Sequence, residues 1–197
     1  MSTAPPAEAP DLKARILTAA TRAFAERGYG ATSIREVVEA VGCTKPALYY
    51  YFPSKAELFV AALERPHAEY AGLLDEIAAS DGSLRHRLTE VFARLLAAVD
   101  RDPTPMKLVL TSHLRPERGQ PSFDLQAAHE RALTVMSAMI ADGVGRGEVR
   151  ADLDPNLLAR FFMGTFHETA MAALHGCSPE PELVPQLIDL YFNGVKP

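Results

Sequence analysis

Cysteine is nearly absent from this chain of 197 residues: Cys43 and Cys177 stand far apart, too few for a disulfide framework or a cysteine-rich zinc site. Long apolar runs are missing as well. The longest, Leu58 to Leu63, has six residues where a membrane span needs roughly 20. β-Branched aliphatics are scarce, with 12 valines and 5 isoleucines against 31 alanines and 23 leucines, and no stretch alternates apolar and polar residues over a strand's length. These counts predict an all-α fold, and the periodicity and caps read below divide it into about nine helices. The first ten residues, Met1 to Pro10, have neither a basic start nor an apolar stretch, so no secretory signal is expected; they read as a disordered tail ahead of a cytoplasmic protein.

The net charge of −5 would argue against a nucleic-acid binder if it were evenly spread. It is not. Residues 13 to 55 carry seven Lys and Arg against three Glu, a net +4, which leaves −9 for the rest. A small cationic module on an acidic body can approach a polyanion with one end only.

What is present is helical periodicity. Leu12, Ile16, Ala20, Ala23 and Phe24 trace one face of a first helix from Asp11 to Arg27, stopped by Gly28-Tyr29-Gly30. Ser33 and Glu36 stand in capping-box register for a short second helix reaching about Val41. After Gly42-Cys43-Thr44, Thr44 can cap a third helix that takes Pro46 in its first turn and ends near Phe52-Pro53. Helix, three-residue turn with glycine, helix is the helix-turn-helix spacing that offers its second helix to the DNA major groove, and also the spacing of a plain helical hairpin. Composition favours the former: Thr44, Lys45, Tyr49 and Tyr50 are polar-tipped, with few core residues beside Leu48 and Phe52.

From Gly28-Tyr29-Gly30-Ala31-Thr32-Ser33-Ile34-Arg35-Glu36 to Leu48-Tyr49-Tyr50-Tyr51-Phe52-Pro53-Ser54-Lys55, and more broadly over residues 11 to 64, the chain resembles the DNA-binding region of the TetR family of bacterial regulators. The resemblance implies domains of 11–54 for DNA binding and 55–197 for effector binding and dimerisation. It implies base-edge contacts from Arg35, Lys45, Pro46, Ala47 and Tyr49, and phosphate contacts from Thr32, Ser33, Tyr50, Tyr51 and Lys55. The chemistry agrees: Arg and Lys pair with guanine, Pro46 and Ala47 suit a thymine methyl, and hydroxyls and Lys55 suit phosphate oxygens. Partners implied are a palindromic double-stranded operator, a second copy of the chain and a small-molecule effector, with no membrane.

In the acidic body, a fourth helix from Ser54 meets Pro66, where a kink or break and a pivot between domains are expected. A fifth helix is capped by Ser83 and stops at Asp102-Pro103, a sixth opens at Thr104-Pro105, and a seventh starts at about Phe123. An eighth runs from Asp154-Pro155 to His175-Gly176, and a ninth starts at Pro181 and ends at Asn193-Gly194. The resemblance implies an effector pocket, for which Phe92, Met106, His113, Met136, Phe162, Phe166 and His167 offer aromatic, soft and polar groups, though helical spacing alone makes each of them core. It also implies a four-helix dimer interface, matched by Phe161, Gly164, Thr165 and Glu168 on the eighth helix and Leu183, Leu187, Leu190 and Tyr191 on the ninth.

Enzyme signatures are missing. His167-Glu168 is not continued as a zinc-binding His-Glu-x-x-His, and Gly143-Val144-Gly145-Arg146-Gly147 ends a helix instead of following a strand. Neither an enzyme, nor a cofactor, nor a metal is expected. The alternatives to an effector-released repressor are a ligand-independent DNA-binding regulator or activator, and a helical carrier or hydrolase with a vestigial helix-turn-helix.

Overall fold

Apolar residues at helical spacing form helices throughout the described residues, which are 11–114, 116–174 and 182–195 of a computed structural model. These helices are α1 (Leu12–Ala31), α2 (Ile34–Val41), α3 (Lys45–Tyr51), α4 (Lys55–Ala78), α5 (Leu84–Arg101), α6 (Thr104–Leu114), α7 (Leu125–Gly145), α8 (Pro155–Leu174) and α9 (Leu183–Val195). No strand occurs among the described residues, and the fold is all-α. The expected stops are largely met, with two differences. At Gly28 (φ 82°, ψ 173°) α1 kinks and then adds one further turn, because glycine alone accepts that backbone cheaply. At Pro66, α4 is not interrupted but runs on to Ala78 with the proline inside it. The expected C-cap at His175-Gly176, Cys177 and the expected helix start at Pro181 lie outside the described residues.

The chain divides into two compact units, one of residues up to Arg65 together with Lys107–Phe123, the other of Pro66–Met106 together with residues from Asp124 onward. The first unit closes over Ile16, Phe24, Val37, Leu48, Phe59 and Leu63. Leu108 is buried in the same core, with Val109 and Phe123 packed against it. Phe24 and Phe59 meet edge to face with centroids 5.0 Å apart, and Tyr29 covers both. Each such side chain contributes about 1.5–3 kcal/mol of hydrophobic stabilisation.

The second unit is centred on Leu88 and Phe92 of α5, Met136 and Ile140 of α7, and Phe162 of α8. At its rim Arg87, almost fully buried, reaches Asp142 at 2.6 Å, and Arg146 reaches the same carboxylate at 2.8 Å. The Arg87 hydrogen bond, aided by the charge of Arg146, holds the Asp142 carboxyl below its ordinary range.

Candidate nucleic-acid interface

Local capping sets the geometry of α2 and α3. Ser33 Oγ accepts from the Glu36 N–H at 3.2 Å, and the Glu36 carboxylate accepts from the Ser33 N–H at 3.0 Å, a complete capping box. That backbone donor, with Arg27 beside it, keeps the Glu36 carboxyl below the usual carboxylate range. Gly42 ends α2 in the left-handed region (φ 72°), and its N–H returns to Val38 and Glu39 carbonyls. Thr44 Oγ1 then accepts from Ala47 N at 3.3 Å and starts α3.

One side of α3 is anchored and the other is bare. Leu48 is fully buried and Phe52 nearly so, whereas Lys45 and Pro46 are exposed, as are Tyr49 (43%) and Tyr50 (82%). A seven-residue helix held by so few inner contacts presents most of its surface outward. Ala47 is half-buried. Arg35 stands exposed on α2 and pairs with Glu39 at 2.7 Å, a bond that holds it more firmly protonated. Lys55, at the start of α4, lies 4.5 Å above the Tyr29 ring and donates to the Gly30 carbonyl at 3.3 Å. Ser54 caps α4 by accepting from Glu57 N at 3.1 Å.

Two residues expected at phosphates are placed differently. Thr32 is buried, and its hydroxyl donates inward to the carbonyls of Gly28 at 2.7 Å and Ala23 at 3.0 Å, so that side chain is spent on holding the α1–α2 elbow. Tyr51 is half-buried against the first core, with its ring edge-on to Tyr50 at 5.0 Å. The phenols that face outward are those of Tyr49 and Tyr50.

Two contributors had no signal in the spacing. Arg15 Nη2 donates to the Val41 carbonyl at 2.6 Å, tying α1 to the end of α2, inside a groove of about 820 Å³ that also takes in Lys13, Arg22 and Arg27. Glu117, from the segment after α6, accepts from Gly30 N at 2.7 Å. Both are long-range contacts made by ordinary-looking surface charges.

The seven residues expected around a pocket separate. Phe92, Met136 and Phe162 are buried in the second core, where Phe92 meets Phe162 and Phe166 edge to face at 5.8 and 5.6 Å. Met106 and Phe166 are half-buried. His113 is exposed and belongs to the first unit, and His167 is exposed on α8. Neither histidine sits on an apolar face, because each falls just outside the buried phase of its helix. Among the described residues, no three His, Cys, Asp or Glu side chains are grouped to hold a metal ion.

The residues expected between two copies fare unevenly. Phe161 (57%) and Leu190 (66%) are exposed, Gly164 and Glu168 are exposed, and Thr165, Leu183 and Leu187 are half-buried. Leu157, not singled out by the sequence, is exposed one turn before Phe161. Tyr191 is an inner residue instead: its hydroxyl donates to the Leu158 carbonyl at 3.4 Å, and its ring backs Phe161 and Phe162 at 6.0 and 5.8 Å. Burial pushes its phenol pKa up.

Comparison with known proteins agrees with this geometry. Residues 16–62 match the profile of bacterial regulatory proteins of the tetR family. Over 168 residues the chain is 27% identical to the HTH-type transcriptional repressor ComR of Escherichia coli (strain K12), covering 83% of this chain and 80% of that one. Over 184 residues it is 29% identical to the HTH-type transcriptional repressor AcnR of Corynebacterium efficiens, covering 92% and 90%. A solved structure described as the molecular basis for control of antibiotic production by bacterial hormones superposes with a TM-score of 0.74 at 27% identity, covering 96% of this chain and all of that one. No helix among the described residues is long and apolar enough to cross a membrane. The capped α2–turn–α3 unit, the profile match across it and the repressors similar over most of the chain together support a TetR-family transcriptional regulator.

Proposed function

We propose that this DNA-binding transcriptional regulator works as a homodimeric repressor that a small molecule releases from a palindromic operator. The observation that carries the reading is the two-sidedness of α3, with Leu48 and Phe52 inward and Lys45, Pro46, Tyr49 and Tyr50 outward. Lys45, Pro46, Ala47, Tyr49 and Arg35 meet base edges; Ser33, Tyr50 and Lys55 meet phosphates, with Tyr51 and Thr32 supporting them from within. A single copy presents too little surface for useful specificity, so two copies sit on half-sites about 34–36 Å apart. The exposed apolar stripe of Leu157, Phe161 and Leu190, with Gly164 allowing close approach, is the surface through which they pair. The protein is a binding protein and not an enzyme, acting in the cytoplasm where its operator lies.

The effector is the finer part of the proposal. A structural relative tied by its description to bacterial hormones supports a small organic ligand. The closed ring cluster of Phe92, Phe162 and Phe166 favours a second reading, a regulator that needs no ligand. Footprinting on the DNA beside the chain's own gene, followed by a release screen with small molecules, separates the two. Lys55→Ala is expected to weaken binding to all duplexes alike and lower the salt slope by about one unit, whereas Lys45→Ala relaxes preference at particular base pairs. Identical effects of both at every base position would contradict the assignment.

A further inference from the structure

The segment 107–123 joins the first unit from far down the chain and brings one carboxylate with it. Glu117 Oε2 accepts from the N–H of Gly30 at 2.7 Å, on the exposed elbow between α1 and α2. The glycines make this approach possible: a Cβ on Gly30 would stand 2.9 Å from that oxygen, and a Cβ on Gly28 would overlap the carboxylate. Glu117 is held in turn, its N–H donating to Gln120 Oε1 at 3.2 Å while Gln120 Nε2 donates to the Ser112 carbonyl at 3.3 Å. Leu108 and Phe123, at either end of the segment, pack into the first core.

On its other side the same residue carries a cation. The Gly30 carbonyl accepts from Lys55 Nζ at 3.3 Å, so ammonium and carboxylate bracket a single residue and lie within about 10 Å of each other. Ser33, the outward cap of α2, follows three residues later. A backbone N–H beside an ammonium is donor chemistry suited to phosphate oxygens, and a carboxylate oxygen is the same kind of acceptor.

We propose that Gly30 N–H and Lys55 form a DNA-phosphate site, and that the Glu117 carboxylate is an internal stand-in for the phosphate that the operator must displace. The inference rests on the DNA-binding reading above and adds a competitor to it. One N–H donor does not serve two anions that repel each other, so segment 107–123 and the operator exclude one another at Gly30. By linkage, whatever lifts Glu117 raises operator affinity, and bound DNA loosens the segment by the same factor.

Glu117→Gln keeps the shape and an acceptor oxygen but removes the charge. It is expected to tighten binding to every duplex, by between about 2-fold and about 15-fold per copy for a unit charge 10 Å away at effective dielectrics from 80 to 20, with the gain shrinking as salt rises. The unfolding temperature stays unchanged. Gly30→Ala, whose methyl group crowds any oxygen bound at that N–H, from Glu117 or from a phosphate, is expected to give no such gain and to weaken binding in the Glu117→Gln background. Tryptic cleavage after the exposed Arg118 is expected to quicken when DNA is added. If Glu117→Gln binds no tighter than wild type at any salt concentration, Glu117 is a fold staple only and the proposal is overturned. A wild-type chain that binds no duplex sinks the DNA-binding reading itself, and this site with it.

Discussion

In the first unit the outward side chains are positioned by contacts a few residues long: Ser33 with Glu36, Gly42 with Val38, Thr44 with Ala47. In the second unit they are whatever remains outside after α5, α7, α8, α9 and the end of α4 have packed. Phe162 and Phe161 are neighbours on α8, and Tyr191 touches both rings, yet Phe162 lies in the core against Phe92 and Phe161 is exposed. A task built from local caps can be read in one dimension; a task built from long-range packing cannot.

Truncating the two cores sharpens that contrast most. Phe92→Ala is expected to cost about 3–5 kcal/mol and Leu48→Ala about 2–5 kcal/mol, since each leaves a cavity among fully buried neighbours. Hydrogen exchange read unit by unit locates each loss. Leu48 is the sole fully buried residue within α3, so its removal should also abolish operator binding by freeing the helix that carries Lys45 and Tyr49. Unchanged protection of the α2 and α3 amides in Leu48→Ala would break the comparison, because the outer face would then not depend on its inner anchor.

The same contrast explains what was legible. Helix order, the two caps of the helix-turn-helix and the split faces of α3 follow from residue types at fixed short spacings. The fate of α6 does not. Leu108 and Leu110 are buried and Val109 half-buried, so apolar residues occupy several sides of an eleven-residue helix, and periodicity cannot say which core takes it. That ambiguity is why His113 reads as pocket lining yet is exposed, and why Glu117 at Gly30 leaves no trace in the sequence pattern. Thr32 fails for a related reason: a hydroxyl beside a glycine turn can face water or fold back on the preceding carbonyls, and here the kink at Gly28 turns a carbonyl toward it.

A mid-sized effect tests long-range pairing in the second unit. Arg87 is buried while Asp142 is half-exposed and shared with Arg146. Removing the acid strands a buried guanidinium, whereas removing the guanidinium leaves an acid that water and Arg146 still serve. Asp142→Ala is therefore expected to lower the melting temperature by several degrees and Arg87→Met by less, although both delete the same ion pair. Equal losses would mean that the pair acts through its mutual attraction and not through the burial of one partner.

The smallest effect expected lies in the cap of α2. Ser33→Ala removes one side of the capping box and should cost about 1 kcal/mol at neutral pH. The other side is pH-dependent. Because the folded Glu36 carboxyl is held below its unfolded value, first by the Ser33 N–H and then by Arg27, its stabilisation is fully present above the ordinary carboxylate range. It drains away as pH falls through the lower, folded value. The melting-temperature difference between wild type and Glu36→Gln should thus be largest at neutral pH and vanish in acid. Operator binding should loosen in parallel, since this cap sets the direction from which α2 delivers Arg35. A difference that persists unchanged into acid would show that Glu36 acts through packing rather than charge, and would remove one of the short-range contacts on which the legibility of the first unit depends.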